Sequence, residues 1–147
     1  MSKKIKIIIV AGGTGGHVFP GINLAKHLIN KSFYEVNLIT DKRGQRYLNN
    51  SQNIPTFILP SSPFKTKNIF VKVFSIIHIF YSILRSLIHL LLKRPSIIFG
   101  MGGYASFPMS IAASFLKIKL IIYENNLILG KANKYLVSSA NKIMVSS

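Results

Sequence analysis

Two glycine-rich stretches each stand directly behind a run of mostly β-branched residues. Gly12-Gly13-Thr14-Gly15-Gly16-His17 follows Ile7-Ile8-Ile9-Val10-Ala11, and Gly100-Met101-Gly102-Gly103-Tyr104 follows Ser96-Ile97-Ile98-Phe99. The chemistry such loops can do is anion binding. Glycine lets the backbone come close to a ligand, and a helix opening behind the loop aims its unpaired N–H groups at a phosphate. Two of them in one short chain predict a diphosphate-bearing ligand at one edge of a sheet. His17 is the polar side chain nearest the first loop. An imidazole there donates a hydrogen bond to a phosphate oxygen, serves as a general base, or merely caps and packs. Glu124 is one of three acids, with Glu35 and Asp41, and it ends an apolar run at Tyr123-Glu124-Asn125-Asn126. Ligands of open α/β sheets bind beyond the carboxyl ends of the strands, which puts Glu124 and Asn126 on the rim that carries both loops. Asn133, early in the next helical stretch, reaches that rim or faces solvent.

Competing chemistries fit less well. Gly13-Thr14-Gly15-Gly16-His17-Val18 begins like the dinucleotide fingerprint, with Asp41 imitating the ribose-binding acid, but Val18 stands where the third glycine belongs. No Gly-Lys-Ser/Thr follows either cluster, which excludes a P-loop. The chain has no cysteine, and His27, His78 and His89 show no metal-ligand spacing. The expectation is metal: none, and cofactor: none.

The elements that must position these residues follow from periodicity. Apolar runs alternate with longer helical patterns, which points to βαβ units and a parallel sheet. Strands are expected near 5–11, 35–40, 55–59, 96–100, 119–123 and 142–146, and helices near 17–31, 42–49, 64–93, 105–116 and 130–139. Pro20 falls in the opening turn of the first helix, where a missing N–H costs little. Pro95 stops the long helix and sends the chain extended into the fourth strand. The expected fold class is α/β, a Rossmann-like parallel sheet with helices on both faces. At 147 residues this is one domain, able to bury about 70% of its unfolded surface. Lys3 and Lys4 before the first apolar run resemble a signal peptide, but that run is short and passes straight into the glycine loop. It reads as the first strand of a cytoplasmic protein, and the absence of cysteine fits a reducing compartment.

The stretch from Ile69 to Leu92 is more apolar than a sheet-covering helix needs. Lys72, Ser75, His78, Ser82, Arg85, Ser86 and His89 recur every three or four positions and form one narrow polar stripe; nearly everything else is aliphatic or aromatic. A helix covering one face of a sheet needs an apolar arc of about 100°. Its length, rising about 36 Å, suffices for a membrane span. Lys72 and Arg85 inside the run disfavour that, each costing roughly 2.5–3.5 kcal/mol at the bilayer centre. The expected arrangement has one face on the sheet and the rest, including Ile69, Phe70, Phe74, Ile77, Phe80, Tyr81 and Leu84, in a membrane interface. Lys65, Lys67, Lys72, Lys93 and Arg94 then add about 1 kcal/mol each at an anionic leaflet. Full burial, by a missing partner or by its own domain, is the competing reading.

Nineteen Lys and Arg against three acids make a field that attracts anions, although an abundance of Lys, Ile and Asn also fits nucleotide bias in a genome. No basic stretch interleaves aromatics as single-strand binding surfaces do, so nucleic acid is not an expected partner.

At this point the residues carry a family likeness. Gly12-Gly13-Thr14-Gly15-Gly16-His17-Val18-Phe19-Pro20-Gly21, then Gly100-Met101-Gly102-Gly103-Tyr104, then Glu124-x-Asn126 with Gly130-x-x-Asn133-Lys134 resemble the MurG family in its own motif order and across nearly the whole chain. The family is the membrane-associated N-acetylglucosaminyltransferase of bacterial peptidoglycan synthesis. The resemblance implies the N-terminal, acceptor-side half of a two-domain GT-B glycosyltransferase, with the C-terminal donor domain missing. It implies UDP-N-acetylglucosamine (UDP-GlcNAc) as donor and lipid I, an undecaprenyl-diphosphate-linked N-acetylmuramoyl pentapeptide, as acceptor. Transfer goes to the acceptor 4-hydroxyl with inversion, at the cytoplasmic face of the bacterial inner membrane, where the protein is peripheral.

By the same resemblance Thr14, Gly15, Gly16 and Asn126 match positions that reach the donor. His17, Tyr104, Glu124 and Asn133 match positions lining the acceptor cleft, and Gly13, Gly102 and Gly103 are assigned to diphosphate. The family's usual His-Glu-Gln-Asn run reads Tyr123-Glu124-Asn125-Asn126 here, which removes a histidine and shortens one amide. His17 is the first candidate for the base and Glu124 the second. The chain alone is expected to be inactive for want of a closed cleft. The rivals are a membrane-bound subunit that only holds the acceptor, a gene remnant, and an NAD(P) oxidoreductase using Gly13, Gly15 and Asp41.

Overall fold

A run of Ile7-Ile8-Ile9-Val10 suits a strand covered on both faces, and all four side chains are buried. The computed structural model of the chain describes residues 4–49, 53–61, 69–126 and 128–146. Six strands, β1 (Ile5–Val10), β2 (Tyr34–Thr40), β3 (Thr56–Ile58), β4 (Ile97–Gly100), β5 (Lys119–Glu124) and β6 (Lys142–Val145), form one sheet in the order β3-β2-β1-β4-β5-β6. Every pairing is parallel. The helices are α1 (Gly15–Ile29), α2 (Ile69–Lys93), α3 (Ser106–Phe115) and α4 (Lys131–Leu136). Strand order reverses between β1 and β4, and Val10 lies opposite Gly100 in their register. Both glycine loops therefore leave the sheet side by side at its switch point.

The sheet is covered on both faces. Val18, Ile22 and Ala25 of α1 pack on Ile7, Ile9, Val36 and Leu38. On the other face Leu90 of α2, Met109, Ala112 and Ala113 of α3, and Leu136 of α4 pack on Ile8, Val10, Ile98, Leu120 and Ile122.

Two local expectations change. The helix expected over 42–49 is only a 3-10 turn, Gly44–Tyr47, because the Asp41 carboxylate takes the Gly44 N–H at 2.8 Å and the short stretch closes on itself. Helix α1 starts at Gly15, two residues early, so Pro20 lies in its second turn and not its first. A proline there leaves the carbonyl four residues back without its helical donor. That carbonyl belongs to Gly16, and the Asn125 side-chain amide donates to it at 3.5 Å.

Helix α2 is turned with its polar stripe inward. Ser82 and Ser86 are fully buried; Ser82 Oγ donates to Pro60 O at 2.7 Å, and His89 stacks on Phe57 with ring centroids 4.5 Å apart. Serine hydroxyls that bond backbone carbonyls can be buried without loss, so a thin polar stripe seats the helix between α3 and β3. Leu87 and Leu90 accompany the stripe into the core, and much of the apolar remainder faces out: Phe74 is 74% exposed and Phe80 70%, with Phe70, Ile77, Tyr81 and Leu84 also exposed. The side chain of Ile69, the helix expected before it, and Lys65 and Lys67 lie outside the described residues.

Candidate functional site

The first loop turns at Gly13, whose φ of +85° suits glycine, and Thr14 O then accepts from the His17 and Val18 N–H groups at 3.1 Å to open α1. The second loop turns at Gly102 and Gly103, with φ +93° and +79°. Ser106 Oγ donates back to Gly103 O at 2.9 Å and ties that loop to α3. These glycines also set how closely the loops approach each other. A Cβ on Gly102 would sit 2.7 Å from His17 Nδ1, and one on Gly103 would strike Gly12 O. The second loop is thus pressed onto the first and onto the imidazole. His17 is half-buried, and its Nδ1 is buried without a hydrogen-bond partner among the described residues.

The third part of the site hangs on one carboxylate. Glu124, 2% exposed at the end of β5, accepts the Asn126 N–H at 3.1 Å and the Asn126 amide at 2.8 Å on Oε1. On Oε2 it accepts the Gly130 N–H at 2.8 Å and the Asn133 amide at 3.0 Å. Burial pushes this carboxyl's pKa up, but the Gly130, Asn133 and Asn126 donors outweigh it and hold the group below its ordinary range. Asn133 also donates to Tyr123 O at 3.3 Å, so it faces the rim.

These three parts enclose one cavity of about 270 Å³, lined by His17, Gly102, Gly103, Tyr104, Glu124, Asn126, Gly130, Ala132 and Asn133. Seven of the residues singled out from the sequence meet there. Gly13, Thr14, Gly15 and Gly16 form the neighbouring loop and do not line it; Thr14 and Gly16 are exposed at the surface. Among the described residues no cluster of His, Asp and Glu could hold a metal ion.

Asp41 is a brace beneath the first loop. Its Oδ1 accepts the Gly13 N–H at 2.9 Å as well as that of Gly44, and its Oδ2 accepts the Ser61 hydroxyl at 2.6 Å and lies 3.5 Å from Arg43. Burial raises its pKa, and the Ser61 hydroxyl, both amides and Arg43 outweigh that and lower it. With its oxygens engaged inside the protein, Asp41 is not placed as a ribose ligand. Arg43, which the sequence did not single out, carries its guanidinium to 5.9 Å from the Tyr104 ring centroid and so bridges the two loops. Asn125 and Asp41 likewise serve the loops. Both partnerships span distant positions, and no local spacing announces them.

A fully parallel sheet in this order, with glycine loops and polar side chains gathered at its switch point, defines a Rossmann-like ligand-binding domain. Residues 7–145 match the glycosyltransferase family 28 N-terminal domain, and the chain belongs to that family. It is 43% identical over 141 residues to the UDP-N-acetylglucosamine–N-acetylmuramyl-(pentapeptide) pyrophosphoryl-undecaprenol N-acetylglucosamine transferase of Rickettsia felis, spanning 96% of this chain and 38% of that protein. The fold is shared with the crystal structure of Acinetobacter baumannii MurG at a TM-score of 0.81 and 24% identity, over 97% of this chain and 42% of that one. It is shared more distantly, at 0.68 and 13% identity over 96% and 38%, with a putative UDP-N-acetylglucosamine 2-epimerase from Listeria monocytogenes. The chain therefore spans well under half the length of the relatives it matches.

Proposed function

We propose that this chain is the acceptor-side half of an inverting N-acetylglucosaminyltransferase that takes UDP-GlcNAc as donor and lipid I as acceptor, giving lipid II for peptidoglycan. The observation that carries the reading is the meeting of His17, the Gly102-Gly103 turn and the Glu124–Asn126–Asn133 network around one cavity in a family 28 chain. In the reaction the acceptor O4 bonds to the anomeric carbon, the bond from that carbon to the UDP oxygen breaks, and the hydroxyl proton passes to a base. With Nδ1 sealed against Gly102, Nε2 of His17 is the nitrogen left to take that proton. Glu124, fully engaged and held ionised, keeps Asn126 and Asn133 in place instead of competing for the role. Thr14, Gly15 and Gly16 with Asn126 face the donor side, and Gly13, Gly102, Gly103, Tyr104 and Asn133 serve the acceptor and its diphosphate. Loop N–H groups supply charge stabilisation there without a metal.

The outward face of α2 rests on the cytoplasmic leaflet of the cell membrane and makes the protein peripheral. Its buried serine stripe supports docking over spanning, since a helix seated on the domain along one side cannot also cross the bilayer. Donor recognition comes from a second domain beyond the matched region, and the chain alone is inactive. The test is transfer of labelled GlcNAc to a lipid I analogue in detergent, by the chain alone and with a MurG C-terminal domain supplied. Activity only on complementation, lost in His17→Ala, supports the reading. Activity of the isolated chain overturns the need for the second domain, and silence in both favours a gene remnant or a subunit that only holds the acceptor.

A further inference from the structure

The cavity of the candidate site is short of positive charge. Its lining holds the Glu124 carboxylate and the His17 imidazole but neither lysine nor arginine. A diphosphate joining two groups carries a negative charge on each phosphate, and backbone N–H groups answer it with partial charges only. The ionised Glu124 opposes it further, although four donors share that charge. One guanidinium stands over both glycine loops, that of Arg43. A Cβ on Gly13, the turn of the first loop, would lie 3.4 Å from Arg43 Nη2. The centre of the same guanidinium lies 5.9 Å from the ring centroid of Tyr104, which follows the second loop and lines the cavity.

Arg43 is also incompletely neutralised. Its Nη2 approaches Asp41 Oδ2 at 3.5 Å, long against the roughly 2.7–2.9 Å of a charge-assisted hydrogen bond. That oxygen already accepts the Ser61 hydroxyl at 2.6 Å, and Oδ1 takes the Gly13 and Gly44 N–H groups. The Asp41 side chain is 3% exposed and that of Arg43 48%, so the contact is anchored at one end and open to solvent at the other. A carboxylate behind it and an aromatic ring beside it fix where the guanidinium stands, and its planar fork suits phosphate oxygens. We propose that Arg43 is the cationic ligand of the diphosphate gathered by the two glycine loops, donating to its oxygens and supplying the full charge that the cavity lining lacks. That diphosphate is the lipid-linked group of the acceptor or the UDP of the donor. The inference rests on the reading above that the loops hold a diphosphate.

The test uses the full 147-residue chain and calorimetry. Geranyl diphosphate stands for the acceptor and UDP for the donor, with geranyl monophosphate as a probe of lower charge. The variants are Arg43→Gln and Arg43→Lys, and Lys42→Gln removes an exposed charge one residue away. The expected result is a loss of about tenfold or more for at least one diphosphate in Arg43→Gln, and a smaller one for the monophosphate. Lys42→Gln should change binding less than about twofold, and Arg43→Lys should recover part of the loss by keeping the charge without the fork. The diphosphate with the larger loss identifies the source. If Arg43 merely holds the first loop through Asp41, monophosphate and diphosphate weaken equally and lysine gives no rescue, and that result overturns the proposal. Equal losses in Arg43→Gln and Lys42→Gln overturn it too. A wild-type chain that binds neither diphosphate removes the loop reading and Arg43 with it. Wild-type binding that Arg43→Gln leaves unchanged removes Arg43 alone.

Discussion

Glu124→Gln isolates the network that shapes the candidate site. The carboxylate receives four donors, two on each oxygen: the Asn126 N–H and amide on Oε1, the Gly130 N–H and the Asn133 amide on Oε2. In glutamine one of those oxygens becomes an NH2, so one pair of donors faces another donor. Two hydrogen bonds to a charged acceptor are worth about 1.5–3 kcal/mol each, a loss of about 3–6 kcal/mol before relaxation. Relaxation is available on one side. Asn133 Oδ1 is buried without a partner among the described residues, so a flip of that amide turns an acceptor toward the new NH2, while the Gly130 N–H stays unpaired. The net expectation is a loss of about 2–4 kcal/mol, below the roughly 5–15 kcal/mol typical of a domain, so the variant folds and can be measured. Urea denaturation in mild detergent reads it directly.

Adding Asn133→Asp to the Glu124→Gln variant restores an acceptor opposite the NH2, and the double-mutant cycle is expected to show favourable coupling of about 1–2 kcal/mol. The pH dependence has a fixed sign. A carboxyl whose folded pKa lies below its unfolded value of about 4.3 contributes fully above that value and loses the contribution as pH falls through the folded pKa. The gap between wild type and Glu124→Gln must therefore close on acidification. A loss under about 0.5 kcal/mol, additive with Asn133→Asp and constant with pH, would show that this network does not hold the edge of the site.

Other perturbations follow from the same structure. Gly103→Ala puts a methyl against Gly12 O at a positive φ and is expected to cost more than about 2 kcal/mol, read from a urea midpoint, with loss of ligand binding at the first cavity. His89 is held below the ordinary histidine range, first by burial and then by Lys93 and Arg85. Its contribution is complete above about pH 6.5 and is lost as pH falls through the lower folded value, so His89→Phe, which keeps the ring against Phe57, should flatten thermal stability between about pH 7 and 5. Lys117 ends α3 at φ +54°, and Lys117→Gly is expected to stabilise the fold by about 0.5–1 kcal/mol in the same urea assay. Phe74→Ser with Phe80→Ser should leave that stability within about 0.5 kcal/mol while weakening vesicle binding about tenfold or more, because both rings are already in solvent.

The parts legible in the sequence are those where one short stretch dictates its own geometry. The runs Ile7–Val10 and Ile97–Phe99, each followed by glycines, announce strand and loop together, and the parallel sheet follows from the helical patterns between them. Glu124 stands out because acids are so scarce. What stayed hidden depends on contacts between distant positions. Asp41 looks like a ligand-binding acid until Gly13, Gly44 and Ser61 are seen to occupy its oxygens. The role of Asn125 is set by Pro20, which is remote from it in sequence and frees the Gly16 carbonyl it binds.

Helix α2 shows why orientation is the hardest quantity to read. Its apolar excess is plain, but the usual rule buries the apolar arc and exposes the polar one. Here the stripe that goes inward is made of Ser82 and Ser86, small hydroxyls that satisfy themselves on the Pro60 and Ser82 carbonyls. His89 and Arg85 accompany them, laid against Phe57. A narrow stripe that supplies its own hydrogen-bond partners loses little by burial, so the wide apolar arc is released for another use. Lys72 and Arg85 interrupt the apolar run, and Arg85 lies on the inward side. The surface that results is an apolar helix face open to solvent, with Phe74 and Phe80 on its outer side and Arg85 held behind it against Phe57.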